Sequence, residues 1–233
     1  MPDLANALVY YVVFLFSTTL HEAAHAWVAL RGGDPTAYHG GQVSLDPRAH
    51  IRREPFGMVI LPLLSVVLTG WPLGFASAPY DPQWALRHPK RAGWMALAGP
   101  VANLLLVVGS AAAIKAGIAA GVFYAPQRIH FGDVVATNAA AAWPAVTLLL
   151  STFFCMNLVL ATFNILPLPP LDGSAVVPLF LHPDAAVRYQ HFLQSQRTFA
   201  LLGMLLAWRL FDVLYQPLFL LAVNALHPGA GYH

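Results

Sequence analysis

The sequence predicts an all-α polytopic membrane protein. Of its 233 residues, 58% are hydrophobic and 9% are charged, whereas an ordinary globular domain has about 25% charged residues. Several apolar runs reach the roughly 20 residues that a membrane-spanning helix needs. The net charge of +2 comes from scattered basic residues, which excludes a nucleic-acid-binding face and leaves the lipid bilayer as the main surroundings. The single cysteine, Cys155, excludes an intrachain disulfide.

The apolar runs define the predicted membrane topology. We expect spans at about 4–30, 93–120, 143–166 and 198–225. A further run, 57–76, lies between two basic segments that both prefer the cytoplasm, so we interpret it as re-entrant, with a full crossing as the alternative. The whole chain, 1–233, is expected to form one integral membrane domain.

Two polar segments outside these runs carry structural predictions. Tyr38–Leu45 contains a glycine pair and is consistent with a small β-hairpin or with a plain loop. A strand edge there could bind an extended peptide by strand addition. In the last span, Arg209 and Asp212 are spaced i, i+3, so they could neutralise one another on the helix.

A group of ionisable residues interrupts the first apolar run at His21, Glu22 and His25. Residues four apart lie on the same face of a helix, so both imidazoles can bind one metal ion, with Glu22 beside them. This is the H-E-x-x-H pattern, whose usual ion is zinc. An ionisable group at the centre of a membrane helix costs about 3 kcal/mol. That cost disfavours the alternative of a chance spacing or a buried hydrogen-bonded cluster.

A catalytic zinc usually has a third protein ligand, and few residues qualify. The metzincin spacing would need histidine where the chain has Arg31, and Glu54 lies in a basic, aqueous loop. Asp212 already has Arg209 beside it. Asp172, which follows a proline-rich segment where non-helical backbone must face protein or a water-filled cavity, is the best candidate. If 57–76 is re-entrant, the fourth span delivers Asp172 to the cytoplasmic side, where the histidines also lie.

Taken together, these residues resemble the site-2 protease family of intramembrane zinc metalloproteases. The match rests on three segments: His21-Glu22-Ala23-Ala24-His25, Ala98-Gly99-Pro100 with Asn103, and Asn164 to Asp172, which ends in Leu-Asp-Gly. The resemblance implies a three-helix catalytic core and Zn²⁺ bound by the two histidines and the aspartate. It also implies that Asn164 positions the substrate or stabilises the reacting carbonyl.

Two departures from that family stand out. Ser174 replaces a second glycine that often follows the Asp-Gly pair, and the chain has no room for the PDZ or CBS domains of some members. We therefore expect a compact zinc metalloprotease of the cell membrane, with Glu22 as general acid-base and a transmembrane protein or peptide as its substrate. The alternatives are a membrane metal transporter and a non-proteolytic membrane scaffold that uses the same metal site.

Overall fold

The structure, a computed structural model, describes residues 4–195 and 199–233. Within these ranges the regular elements are helices, accompanied by two isolated β-bridges. In chain order the helices are α1 (Leu4–Arg31), α2 (Thr36–His39), α3 (Pro47–Arg53), α4 (Leu61–Thr69), α5 (Pro82–Arg87), α6 (Pro89–Ala119), α7 (Trp143–Asn164), α8 (Asp172–Val176), α9 (Pro183–Ser195) and α10 (Phe199–Leu226). A π-helical turn (Phe56–Ile60) precedes α4 and a 3-10 turn (Val177–Phe180) follows α8. The predicted all-α fold is confirmed.

Four of these helices, α1, α6, α7 and α10, are long and apolar enough to cross a membrane. They lie where the four spans were predicted, although Thr198, the predicted start of the last span, lies outside the described residues. Pro89 and Pro144 each occupy the first turn of a helix, where a proline without an N–H donor is tolerated. Gly33 follows α1 with a φ of +98° and ends it in the left-handed conformation that glycine adopts without strain.

The centre of the bundle consists of α1, α6 and α7, with α6 packed against both of the others. α10 lies at the periphery, and only 11% of its apolar 18-residue stretch is buried inside the protein. At one end of the bundle, the carbonyl of Gly32 accepts hydrogen bonds from Trp84 Nε1 and Arg91 Nη1, both at 3.1 Å. The end of α1 and the beginning of α6 therefore lie side by side.

The opposite end of the bundle holds the largest apolar cluster. There the loop between α6 and α7 folds back onto the helices: the Val134 N–H donates to Ser151 Oγ at 3.1 Å, and His227 Nε2 donates to the Val134 carbonyl at 2.7 Å. The buried members of the cluster are Val107, Ile114, Phe123, Val134, Val135, Phe154, Cys155, Leu158, Val223 and Leu226. This cluster joins α6, α7 and α10.

The apolar segment between α3 and α5 enters the bundle and turns back. Its helical part, Phe56–Thr69, is about 21 Å long at 1.5 Å per residue, whereas the hydrocarbon core is about 30 Å thick. After the turn, the Phe75 N–H donates to the Gly57 carbonyl at 3.1 Å, so the chain has returned to the level at which it entered. At the tip, Trp71 packs edge-on against Phe131 with 3.6 Å between ring centroids. This geometry supports the re-entrant interpretation.

Of the two alternatives for Tyr38–Leu45, the structure excludes the β-hairpin and shows a helical turn followed by a loop. The segment begins with the helical turn α2 because the Asp34 carboxylate accepts hydrogen bonds from the backbone N–H and the hydroxyl of Thr36. Gly41, with a φ of +72°, reverses the chain, and the Gln42 N–H donates to the Ala37 carbonyl at 2.9 Å. These local bonds use the backbone groups that a hairpin would have paired.

Arg209 and Asp212 both lie on the exposed surface of α10. Among the described side chains, no ion pair within 4.0 Å joins them. The predicted neutralising pair is therefore not formed, although the two residues share a helix at the expected spacing.

Candidate metal centre

Three side chains from distant parts of the chain converge inside the bundle. α1 places His21 and His25 one turn apart, and their Nε2 atoms are 3.0 Å from each other. Asp172, the first residue of α8, brings its Oδ2 atom to 3.0 Å from His21 Nε2 and 3.3 Å from His25 Nε2. Tetrahedral zinc with bonds of 2.0–2.1 Å separates its ligand atoms by about 3.3 Å. The three atoms are therefore spaced as one face of a zinc tetrahedron.

The Leu-Asp-Gly segment is shaped to deliver this carboxylate. Leu171 is extended, with φ −71° and ψ 153°, and α8 begins at the next residue. A Cβ on Gly173 would overlap the backbone of Ile165 and Leu166, so glycine allows α8 to pack against the end of α7. Ser174, the departure noted in the sequence, donates its hydroxyl to the Leu171 carbonyl at 2.8 Å and thereby closes the turn.

Gly99 of α6 faces the histidines directly. A Cβ built at this position would overlap the Nε2 atoms of both His21 and His25. Because glycine has no side chain, the space in front of the two nitrogen atoms stays open. An open space faced by two imidazoles and a carboxylate fits zinc, which prefers nitrogen and oxygen donors of this kind.

The second nitrogen atom of each imidazole has a partner on α6. His25 Nδ1 donates to the backbone carbonyl of Met95 at 2.7 Å, and His21 Nδ1 contacts the side-chain Oδ1 of Asn103, which is completely buried. Partners of this kind fix the orientation of a metal-binding histidine and direct its other nitrogen toward the ion.

Glu22 lies beside the candidate metal ligands. Its carboxylate offers an oxygen atom that lies, together with nitrogen atoms of His21 and His25, in a group whose members are all within 4.8 Å of one another. The residue is only 5% exposed, yet it lines the cavity in front of the metal centre. Glu22 can therefore act on a molecule bound in that cavity.

The cavity has a volume of about 540 Å³. Its wall is formed by α1, by the chain that returns from the re-entrant segment, by α6, and by the loop before α8 together with the ends of α9 and α10. The lining residues are Glu22, His25, Ala76, Ser77, Ala78, Tyr80, Met95, Ala96, Pro169, Pro170, Leu171, Asp172, Ser174, Ala175, Leu193 and Ala200. Partial burial raises the pKa of the Tyr80 phenol.

Comparison with known proteins agrees with this geometry. Residues 9–208 match the family model for peptidase family M50. The chain belongs to peptidase family M50. Two relatives carry the name "Putative zinc metalloprotease": YwhC of Bacillus subtilis strain 168 is 30% identical over 89% of this chain and 92% of its own, and Rip2 of Mycobacterium tuberculosis H37Rv is 32% identical over 88% of this chain and 69% of its own. No solved structure matches the chain.

Membership of the M50 family, which contains the site-2 proteases, confirms the predicted resemblance. The protein is a zinc metallopeptidase with four helices able to cross a membrane. The predicted cofactor, Zn²⁺, is confirmed by the same relatives.

Within this M50 peptidase, the structure brings together His21, Glu22, His25 and Asp172, as the sequence predicted. Asn164 is placed differently: it ends α7, and its amide donates to the Leu160 carbonyl of the same helix at 3.0 Å. Asn164 is not one of the described residues that line the cavity. Its predicted role stays a prediction that requires the amide to turn.

Sequence reasoning did not single out Asn157. It named Gly99 as part of a family motif but did not predict how closely this glycine approaches the two histidines. Asn157 is completely buried and donates from Nδ2 to Ser17 Oγ at 3.0 Å. The available signal was an asparagine within an apolar membrane span, because such a side chain needs a hydrogen-bond partner on another helix.

Hydrogen bonds from residues outside the cavity hold the part of its wall that contains Ser77. The hydroxyl of Ser77 donates to Glu54 Oε1 at 2.6 Å and accepts from Arg53 Nε at 3.3 Å. The Ser77 carbonyl accepts from Gln42 Nε2 at 3.3 Å. Glu54, excluded above as a metal ligand, thus helps to hold the non-helical segment 76–80 in place.

Proposed function

We propose that this M50 peptidase hydrolyses peptide bonds within or next to the transmembrane segments of other membrane proteins, with His21, His25 and Asp172 as its zinc ligands. One observation carries the proposal: the ligand atoms face a cavity that also contains Glu22, inside a bundle of membrane-spanning length. His25 lies about 9 Å before the end of α1 at Arg31, and Gly99 lies about 15 Å from the beginning of α6. A scissile bond must therefore reach a site within the bundle.

Glu22 is the residue that moves protons. A bound zinc ion supplies Lewis acidity, which polarises carbonyl oxygens and makes water more acidic. The Glu22 carboxylate accepts a proton from the attacking water and gives it to the leaving nitrogen. Water thus adds its OH to the carbonyl carbon and its proton to the amine as the C–N bond breaks. General acid-base catalysis of this kind contributes about 10²- to 10⁴-fold in rate.

The non-helical segment 76–80 is proposed to give the substrate a backbone to pair with. It lines the same cavity as Met95 and Ala96 of α6, and an extended peptide can add to an open backbone edge through main-chain hydrogen bonds. A helical substrate has all its backbone groups paired internally, so it must unwind locally before it binds here. Residues that weaken helices should therefore favour cleavage.

Asn164 is proposed to assist the reacting carbonyl. Its amide donates to the Leu160 carbonyl at the end of α7, so the side chain must rotate before it can donate to a substrate. Loss of one such donor from an oxyanion site costs about 10²-fold or more in kcat.

The metal end of the bundle is proposed to face the cytoplasm. Eight basic residues of the described chain lie at that end: Arg31, Arg48, Arg52, Arg53, Arg87, Lys90, Arg91 and Arg188. Two basic residues lie toward the opposite end: Lys115 near the end of α6, and Arg128 in the loop that follows. Cytoplasmic segments of membrane proteins carry an excess of lysine and arginine. The re-entrant fold of Phe56–Thr69 is consistent, because α1 ends and α6 begins on the same side.

The decisive experiment compares the purified wild type with Glu22→Gln. Each protein is analysed for zinc and incubated with a helical transmembrane peptide that contains a glycine or proline. We expect about one zinc per chain in both proteins and cleavage by the wild type alone, since glutamine keeps the shape of Glu22 but cannot accept a proton.

The matched control is Asp184→Asn, an equivalent carboxylate-to-amide change on the exposed surface of α9. It should retain wild-type cleavage. Zinc-loaded wild type that leaves the peptide intact, or Glu22→Gln that cleaves at the wild-type rate, contradicts the proposed function.

A further inference from the structure

A line of buried polar side chains connects α7 to the metal centre. Asn157 of α7 contacts Asn103 of α6, which contacts His21 of α1. Both asparagines and Ser17, at the far end of the line, have no exposed surface. Hydrogen bonds in such surroundings have no water to replace them, so their donors and acceptors must match.

The Phe153 carbonyl determines which way the side-chain amide of Asn157 is oriented. A backbone carbonyl can only accept a hydrogen bond, and the Phe153 carbonyl lies 2.8 Å from Nδ2 of Asn157. The NH₂ group of Asn157 must therefore point toward Phe153 and Ser17. Its Oδ1 atom then points the other way, toward α6.

The same pairing of donors with acceptors determines the orientation of Asn103 on α6. Oδ1 of Asn157 accepts from Nδ2 of Asn103 at 2.8 Å, so the Oδ1 atom of Asn103 must face His21. That oxygen can only accept. Nδ1 of His21 therefore carries the hydrogen, and the lone pair of its Nε2 atom points toward His25 and Asp172. The orientation of two amides, which is often ambiguous, is decided here by the network.

Both histidines carry their hydrogen on Nδ1, but the acceptor of that hydrogen differs. His25 donates from Nδ1 directly to the carbonyl of Met95 at 2.7 Å. His21 has a side-chain acceptor instead, and that acceptor is correctly oriented only while Asn157 holds it. His21 thus depends on residues of all three central helices.

We infer that Asn103 and Asn157 are positioning residues for the metal centre, which fix the tautomer and the ring orientation of His21. The inference rests on the proposed zinc-binding function of His21. A purely structural role is the competing explanation, because buried asparagines also join membrane helices by hydrogen bonds. The two roles differ in what they affect: positioning changes zinc affinity and ligand geometry, whereas structural joining changes stability alone.

The test uses full-length protein in detergent and three readouts that need no substrate. Zinc affinity is measured by competition with a chromophoric chelator, ligand geometry by the visible spectrum of the Co²⁺-substituted protein, and folding by thermal unfolding of the metal-free form. The variants are Asn103→Leu, Asn157→Leu, the double variant and Asn103→Asp. Thr152→Val is the matched control, because Thr152 is completely buried in α7 but bonds only to Leu148 of its own helix, at 2.7 Å.

We expect Asn103→Leu to weaken zinc binding by about 10- to 100-fold, the usual effect of removing such a partner. Asn157→Leu should weaken it less, and the double variant should resemble Asn103→Leu, since Asn157 acts through Asn103. Asn103→Asp should keep near-wild-type zinc affinity: in its protonated form the buried carboxyl group still offers an oxygen to His21 Nδ1, and its hydroxyl replaces the amide as the donor to Asn157 Oδ1. Thr152→Val should bind zinc as the wild type does, with an unchanged Co²⁺ spectrum.

Asn103→Asp also keeps the test valid if leucine at position 103 prevents folding. Wild-type zinc affinity in folded Asn103→Leu overturns the inference, as does an Asn103→Asp protein that loses zinc to the same extent as Asn103→Leu. Additive losses in the double variant also overturn it. A wild type that binds no zinc is a different result, which contradicts the proposed function itself.

Discussion

Gly99 of α6 lies so close to His25 that the Cβ atom of any other residue at this position would overlap the imidazole. The closeness of these two residues makes the backbone of α6 a wall of the metal centre. α6 therefore does more than separate α1 from α7: it supplies the empty volume in front of the ligand atoms, and the carbonyl of Met95 behind them.

Gly99→Ala should abolish zinc binding. The added methyl group would overlap the Nε2 atoms of His21 and His25, so it occupies the space that the ion needs. Isothermal titration with zinc measures the effect.

The matched control is Gly109→Ala on the same helix, where a Cβ meets nothing within 4 Å. That control should bind zinc normally and gain about 0.5–1 kcal/mol of stability, since alanine favours a helix more than glycine does. Normal zinc binding by Gly99→Ala contradicts this account of the centre.

Asp172→Asn should reduce zinc affinity by more than tenfold, because an amide is a weaker zinc ligand than a carboxylate. Asp212→Asn is the comparison, since Asp212 is the other membrane-depth aspartate considered as a ligand and lies exposed on α10. It should retain wild-type affinity. The two variants, analysed for bound metal after purification, separate the candidates. Zinc retained by Asp172→Asn and lost by Asp212→Asn would reverse the assignment of the third ligand.

Glu54→Ala should weaken substrate binding without affecting the metal. The change removes the acceptor of the Ser77 hydroxyl, bonded at 2.6 Å, and so loosens the cavity wall formed by segment 76–80. One such hydrogen bond contributes about 1 kcal/mol, which corresponds to roughly a fivefold increase in KM. Steady-state cleavage of a peptide series gives KM and kcat, and metal analysis gives zinc content. Glu54→Gln retains an acceptor oxygen and should restore the KM; a fall in zinc content would contradict the prediction.

The orientation of the bundle can be measured with single cysteines. Cys155 is completely buried, so Cys155→Ala supplies a background without thiols. Arg128→Cys and Arg188→Cys then place one thiol on an exposed position at each end. In intact cells, a membrane-impermeant maleimide should label position 128 and reach position 188 only after permeabilisation. Labelling in the opposite order would mean that the metal centre faces the outside.

Features that lie on a single helix could be predicted from the sequence. His21, Glu22 and His25 needed no knowledge of the fold, because helical periodicity alone places them on neighbouring faces. Asp172 was found by excluding the other acids, and the structure brings it to 3.0 Å from His21. The four long helices also follow from composition, since the bilayer demands long apolar segments.

Two features that depend on how closely the central helices approach each other could not be predicted. The role of Gly99 follows from how closely α6 approaches α1, and the orientation of Asn103 follows from a carbonyl on α7. At Tyr38–Leu45 the sequence left a hairpin and a loop open. The hairpin is excluded for a local reason, because the Asp34 side chain accepts from Thr36, where a helical turn begins. Whether Asn164 meets a substrate depends on a side-chain rotation that no residue pattern encodes.

The separation of the ligands along the chain has a consequence for biosynthesis. His21 and Asp172 are 151 residues apart in sequence, and residues emerge from the ribosome at about 5–20 per second. A nascent chain therefore carries the histidines and Glu22 into the membrane many seconds before Asp172, the proposed third ligand, has been synthesised. We therefore expect the newly made peptidase to be inactive until α7 and α8 have been added.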